Sequence, residues 1–358
     1  MIIGGGLTGL LLAHRMHRGG HKVTLLEARE SLGGRYRRPS VQTPYASPGL
    51  DLIPASDENL KLLEWLKNQA PIPLNYEVKE HRPELYDEGK WRPFAGFGET
   101  AFQSVGELSA LFGHTSHVEI QPGLEQVTRA LVEQLPFEAS TMSEVTEIKV
   151  SDGKVTHVLY NGDKSIPADM VIFTPPPSLL NAMIEGEELP GKHKTRLAKM
   201  QSWTAVTLEL HHSPPLAEDD SVRFFSHSAK EFEPVVGRVW GEKSKWMTLV
   251  AADREADHEY AGQCIRHIKR QLKRAWPLAF EGQPQVADKI YIQAHAYGQH
   301  SLRAKETYRF PEISNLYLAN HALAALPGEL GALEPVKALS ETLVSESVNQ
   351  LPEFGASC

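Results

Sequence analysis

The run Gly4-Gly5-Gly6-Leu7-Thr8-Gly9 restricts the fold of this chain more than any other stretch. Its pattern, G-x-G-x-x-G, says little alone, because glycine-rich turns are common; its surroundings make it informative. Ile2-Ile3 are β-branched and precede the glycines. Leu7, Leu10, Leu11 and Met16 then fall on one helical stripe, with Arg15 and Arg18 near its end and Gly19-Gly20 to stop it. The segment HKVTLLE reads as a second strand and ends in an acid, Glu27, 23 residues after Gly4. Strand, glycine turn, helix, strand and acid in this order predict a dinucleotide-binding unit. Gly4 makes the tight turn, Gly6 lets the backbone approach a pyrophosphate, and Gly9 lets helix and strand pack closely. The helix start adds free N–H groups and partial positive charge. Glu27 accepts hydrogen bonds from a ribose diol and repels a 2′-phosphate. Gly4, Gly6, Leu7, Thr8, Gly9 and Glu27 are therefore candidate cofactor contacts. The bland alternative is a glycine turn with a surface glutamate. To this point NAD and FAD are served equally.

The next residues separate the two. Glu27-Ala28-Arg29-Glu30-Ser31-Leu32-Gly33-Gly34-Arg35 resembles the E-A-R-x-x-x-G-G-R run of the flavin amine oxidase superfamily. That group includes monoamine and polyamine oxidases, protoporphyrinogen oxidase, phytoene desaturases and renalase. The resemblance implies that Ala28, Arg29, Gly33, Gly34 and Arg35 lie along bound FAD, with the planar Arg35 guanidinium suited to its diphosphate.

Further on, PASDENLKLLEWLKNQ predicts an amphipathic helix opening at Ser56 or Asp57, with Leu60, Leu63, Trp65 and Leu66 apolar. ELYDEGKWRPF predicts a hairpin turning at Glu88-Gly89, and QPGLEQVTRALVEQL a helix. Strands joined at Asp152-Gly153 and Asn161-Gly162 follow, then a buried strand from Met170 to Phe173 running into Pro175-Pro176-Pro177. This order also resembles the superfamily, which implies that Val145 meets the adenine region through its backbone. On the residues alone, Val145 is core.

TAVTLELHH and VRFFSH read as strands, and EYAGQCIRHIKRQLKRAW as a helix with Ile265, Ile268 and Leu272 on one stripe. Near the C-terminus Leu316 to Ala319 read as a strand that exits through Asn320-His321, ahead of a helix in GALEPVKALSETLV. Relatives end this strand A-G-D or A-G-E, and their acid binds the ribityl chain. By that resemblance Asn320, His321 and Leu333 are cofactor contacts, although His321 replaces the acid and Pro335 a glycine. His321 reads equally well as a satisfied histidine at a strand end. Many amine-oxidising relatives carry a lysine that holds a water near flavin N5, and the matching segment SWTAVTLEL has none. Trp203, His295 and Tyr297 are candidate substrate-pocket residues, each with a core alternative. His211 and His212, adjacent on a strand, point to opposite faces and make poor joint metal ligands; no metal site is expected.

The expected fold class is α/β: a Rossmann-like FAD domain with a parallel central sheet, interleaved with an α+β substrate domain carrying an antiparallel sheet. The boundaries expected are 1–58, 116–180 and 296–358 for the first and 59–115 and 181–295 for the second. A net charge of -8 without a basic run argues against a nucleic-acid surface. The longest apolar runs are too short to span a membrane. Two cysteines, Cys264 and Cys358, cannot form a disulfide framework and fit a reducing, cytoplasmic setting; neither is placed for covalent flavin attachment. Only three residues precede the glycines, so either the natural start lies upstream or the first strand is short. The expected function is non-covalent FAD-dependent oxidoreduction, by hydride transfer from a small organic substrate or NAD(P)H to flavin N5. The alternatives are a family-shaped partner or maturation factor with weak or absent FAD binding, and an NAD-binding dehydrogenase. Substrate, electron acceptor and oligomeric state are not legible.

Overall fold

The computed structural model describes all residues except 39–46, 99–101, 185–188, 201, 214, 227–232, 252–257, 281–288, 299–308, 311, 325–327 and 350–358. A five-stranded sheet runs in the order Arg309–Phe310, Ile313–Leu318, Val171–Phe173, Ile2–Ile3, Leu25–Leu26. All neighbours are parallel except the first pair. The first strand, Ile2–Ile3, is held on both edges: Ile2 and Ile3 face Ile172 and Phe173 on one side and Leu25 and Leu26 on the other. The predicted HKVTLLE strand contracts to the buried Leu25–Leu26, and the chain then pairs with Ser140 as a further edge. From Ile2–Ile3 the chain proceeds to Leu25–Leu26 on one side and later returns to Val171–Phe173 on the other. The carboxyl ends of Ile3 and Phe173 thus flank a switch in strand order, where open α/β sheets hold ligands.

The helix Leu7–Arg18 covers this sheet with Leu7, Leu10, Leu11, Leu12, Ala13 and Met16 buried, a wider stripe than the sequence pattern indicated. The C-terminal helix Leu333–Asn349 packs in the same core through Leu333, Val336, Leu339 and Leu343. So does the helix Asp57–Gln69, capped by the Ser56 hydroxyl, through Leu62, Leu63 and Leu66; Leu60 and Trp65 are only half-buried. The expected boundary at residue 59 falls inside this helix, whose buried face belongs to the first core.

A seven-stranded sheet runs Lys289–Gly298, Ser202–His211, Lys243–Val250, Val235–Trp240, Ser221–Phe225, Glu84–Asp87, Lys90–Pro93. It is antiparallel except where Ser221–Phe225 meets Glu84–Asp87, because the Glu84–Pro93 hairpin arrives from far earlier in the chain. The predicted strand VRFFSH stops at Phe225, and His227 lies outside the described residues. The helix His258–Ala275 covers one face through Ile268 and Leu272. The other face packs Trp203, Ala205, Met247 and Tyr297 against Leu50, Leu52 and the helix Ser104–Phe112. Between Trp203, opposite Tyr297, and Ala205, opposite Gln293, the edge strand carries a bulge that sets His295 at φ 56°. Bulges of this kind re-aim a side chain, and His295 is near enough to Arg29 and His321 for their charges to interact.

Candidate active site

Two glycine turns meet at the switch point. Gly4 has φ 95°, and a Cβ there would overlap the Thr174 hydroxyl; one at Gly9 would overlap the Gly4 carbonyl oxygen. Gly33 N–H donates to Gly5 O at 2.8 Å, and a Cβ on Gly34 would come within 2.8 Å of Gly6 Cα. The second turn therefore lies directly on the first. Gly6 caps the helix with no side-chain hydrogen bond, and around its own missing Cβ the nearest atom is Gly34 Cα at 3.7 Å. A side chain at Gly6 would therefore meet ordinary contact rather than overlap, unlike one at Gly4, Gly9 or Gly34. Leu7 is buried under the helix start and Thr8 half-buried beside it. Glu27 accepts from Gly5 N–H at 2.7 Å and from Arg29 N–H at 2.9 Å, which fixes its carboxylate beside the turn with lone pairs to spare. Ala28 and Arg29 are exposed beyond it.

Arg35 leaves the second turn toward the large sheet. Its guanidinium lies 5.0 Å from the centre of the Tyr297 ring, and Gln293 Nε2 donates to its carbonyl oxygen at 3.3 Å. Asn320 is buried and its amide is used internally: Nδ2 donates to Thr174 O at 2.8 Å and Oδ1 accepts from Ala322 N–H at 2.9 Å. His321 then begins a short 3-10 turn, with its Nε2 buried and unpartnered. Burial, then Arg35 and His295, lower its pKa to about 3, so the ring is neutral at ordinary pH. Burial, then Arg29, also lowers His295. Val145 is core, packed with Leu26 and Phe173. Leu333 is fully buried at the start of the last helix. Trp203 and Tyr297 pair across the sheet in the inner core, Trp203 with its Nε1 unpartnered.

Neither Trp203, His295 nor Tyr297 lines the cavity found nearby. That cavity, of 270 Å³, is bordered by Asp51, Glu119, Glu125, Arg238, Trp240 and Glu329 among others. Arg238 is 5% exposed. It donates to Asp220 at 3.0 and 2.5 Å, to Glu119 at 3.0 Å and to Asp51 O at 3.2 Å. Lys245 Nζ donates to Asp51 Oδ2 at 2.6 Å and to Ser47 O at 2.9 Å. These two cations grip residues 47–51 and hold Asp51 at φ 56°, a backbone state that aspartate tolerates better than most residues. Glu329 is buried without an ion-pair partner among the described residues. The sequence reading missed this group. The available signal was a cation inside an apolar strand, Arg238 in VVGRVW and Lys245 in SKWMTLV.

Residues 2–67 match the profile of NAD(P)-binding Rossmann-like domains, and residues 78–324 that of flavin-containing amine oxidoreductases. No curated protein matches in sequence. Among solved structures, an oxidoreductase from Methanosarcina mazei superposes with a TM-score of 0.65 at 14% identity, covering 95% of this chain and 99% of its own. Cyclohexylamine oxidase from Brevibacterium oxydans gives 0.67 at 12%, over 96% and 98%. Putrescine oxidase bound to putrescine gives 0.63 at 15%, over 96% and 98%. At such identities the likeness is one of fold.

Proposed function

The chain belongs to the flavin-containing amine oxidoreductase family, and from that premise we propose that it is an oxidoreductase holding FAD non-covalently, with a small organic substrate or a reduced nicotinamide as electron donor. When bound, the flavin supplies a hydride acceptor at N5. The observation that carries this reading is the pair of joined glycine turns, open at Gly6, at the carboxyl ends of parallel strands. In this reading Gly4, Gly6, Leu7, Thr8 and Gly9 receive the pyrophosphate, and Glu27 the ribose. Ala28 and Arg29 flank that ribose, and Val145 stands behind the adenine. Gly33, Gly34 and Arg35 form the second wall. The unpartnered His321 Nε2 meets a ribityl hydroxyl, as an orphaned buried nitrogen needs a partner. Asn320 positions His321 rather than reaching outward, and Leu333 offers its backbone at the ring end. Cys264 sits in a hydrophobic cluster with Val206 and Val250, away from these residues, which favours non-covalent retention. Residues 1–58, 116–180 and 296–358 go with the cofactor and 181–295 with the substrate; within 59–115, the Glu84–Pro93 hairpin joins the large sheet.

The absorbance spectrum of protein purified without added cofactor tests the reading. The expected result is a flavin spectrum that bleaches anaerobically with NADH, NADPH or a small amine. A colourless protein that takes up no FAD sinks it and leaves the non-enzymatic partner reading in its place. His321→Ala is expected to weaken FAD binding roughly fivefold, the worth of one neutral hydrogen bond of about 1 kcal/mol. Unchanged affinity in a titration removes His321 from the ribityl contact.

A further inference from the structure

We propose that Glu329 is the acid–base group of the cavity, a carboxyl that exchanges its proton with whatever occupies that space. Of the other acids on the wall, two are ion-paired, and the third, Glu125, is half-buried, without an ion pair among the described residues and raised by burial. Asp51 is paired with Lys245, and Glu119 with Arg238 and Lys79. Glu125 folds back on its own helix start, its carboxylate packed against Gly123. Glu329 also has no ion pair among the described residues, although it is only 9% exposed and borders the cavity.

Its position is built rather than incidental. The carboxyl occupies the space that a Cβ of Gly49 would fill, with the Tyr297 hydroxyl 3.6 Å from that same point. The Tyr36 hydroxyl, in a residue 3% exposed, points toward Glu329 without completing a hydrogen bond. Burial, and then Glu329 itself, push both phenols well up, so they can donate to the carboxyl but do not take its proton. The remaining charges that face it are Asp51, which opposes ionisation, and Arg35 and Lys245, which favour it. Burial dominates and raises the carboxyl to about 7, so both protonation states are populated at neutral pH, as acid–base work requires. A structural acid would be ion-paired or fully hydrogen-bonded; this one has no ion pair among the described residues and borders a cavity. The inference deepens the oxidoreductase reading, in which the occupant is the substrate.

The test is difference infrared spectroscopy on the full-length protein labelled with ¹³C-glutamate, wild type against Glu329→Gln, in H₂O and D₂O. The expected wild-type signal is a protonated-carboxyl band that disappears with a midpoint near pH 7. It shifts to its deuterated position on mixing with D₂O and is absent from Glu329→Gln. Gly49→Ala keeps the charge but displaces the carboxyl, and is expected to move the midpoint. A carboxylate at every pH overturns the proposal, as does a band that neither titrates nor exchanges. If Glu329→Gln fails to fold, Glu329→Asp serves to assign the band. No flavin signal enters the measurement, so a colourless protein would sink the cofactor reading and leave this one intact.

Discussion

Gly6→Glu is expected to abolish FAD retention while leaving the chain folded. Gly6 has φ -76° and ψ -178°, a conformation open to any residue, so no backbone strain follows. A Cβ there meets nothing closer than Gly34 Cα at 3.7 Å. The rest of the side chain must leave along the open side of the joined turns, where the proposed reading puts the diphosphate. Like charges brought together there cost several kcal/mol, so a loss of about 100-fold or more in affinity is expected. Flavin per chain after gel filtration, read beside a thermal melt, measures both halves. Flavin retained at the wild-type ratio would refute the placement. Gly9→Ala makes the contrast, since its Cβ would overlap the Gly4 carbonyl oxygen and must damage the fold itself.

Arg238→Met is expected to cost about 2 kcal/mol of stability, because it removes a buried guanidinium that two half-buried carboxylates, Asp220 and Glu119, share; Glu119 keeps Lys79 and Asp220 loses its ion pair. Burial alone would raise Glu119, but Lys79 and Arg238 hold it below the usual carboxylate range. A carboxylate depressed in the folded state contributes stability above its unfolded pKa and loses it as pH falls through the folded value. The gap between wild type and variant is therefore expected to narrow on acidification below the carboxylate range. Denaturant midpoints at neutral and acidic pH check the size and the sign. A neutral-pH loss under about 1 kcal/mol would show that the cation does not hold the cavity wall together.

The two glycine turns of the candidate site were legible because they are local. Gly4 to Arg35 form one continuous strand–turn–helix–strand–turn unit, and every contact between its turns is within about thirty residues. The exit pair was legible in position but not in role: nothing in the letters Asn-His tells that Asn320 spends its amide on Thr174 and Ala322 while His321 Nε2 is left free. The cavity was illegible because Asp51, Glu119, Arg238 and Glu329 arrive from four separate elements. Trp203 and Tyr297 drew attention as aromatics, yet register rather than residue type decides that they face the inner core. The bulge that turns His295 depends on a local offset between two strands that no single-strand pattern records.

The bond from Gly33 N–H to Gly5 O has a further consequence. Together with the two backbone N–H groups that clamp Glu27, it fixes the spacing of the two glycine turns through protein contacts. A surface already in its bound shape has little order left to gain when a ligand arrives. If the turns hold a nucleotide, as the proposed reading has it, they behave as a rigid gauge: nucleotides compete on fit, and differences between them fall on how long each stays rather than on how fast each arrives.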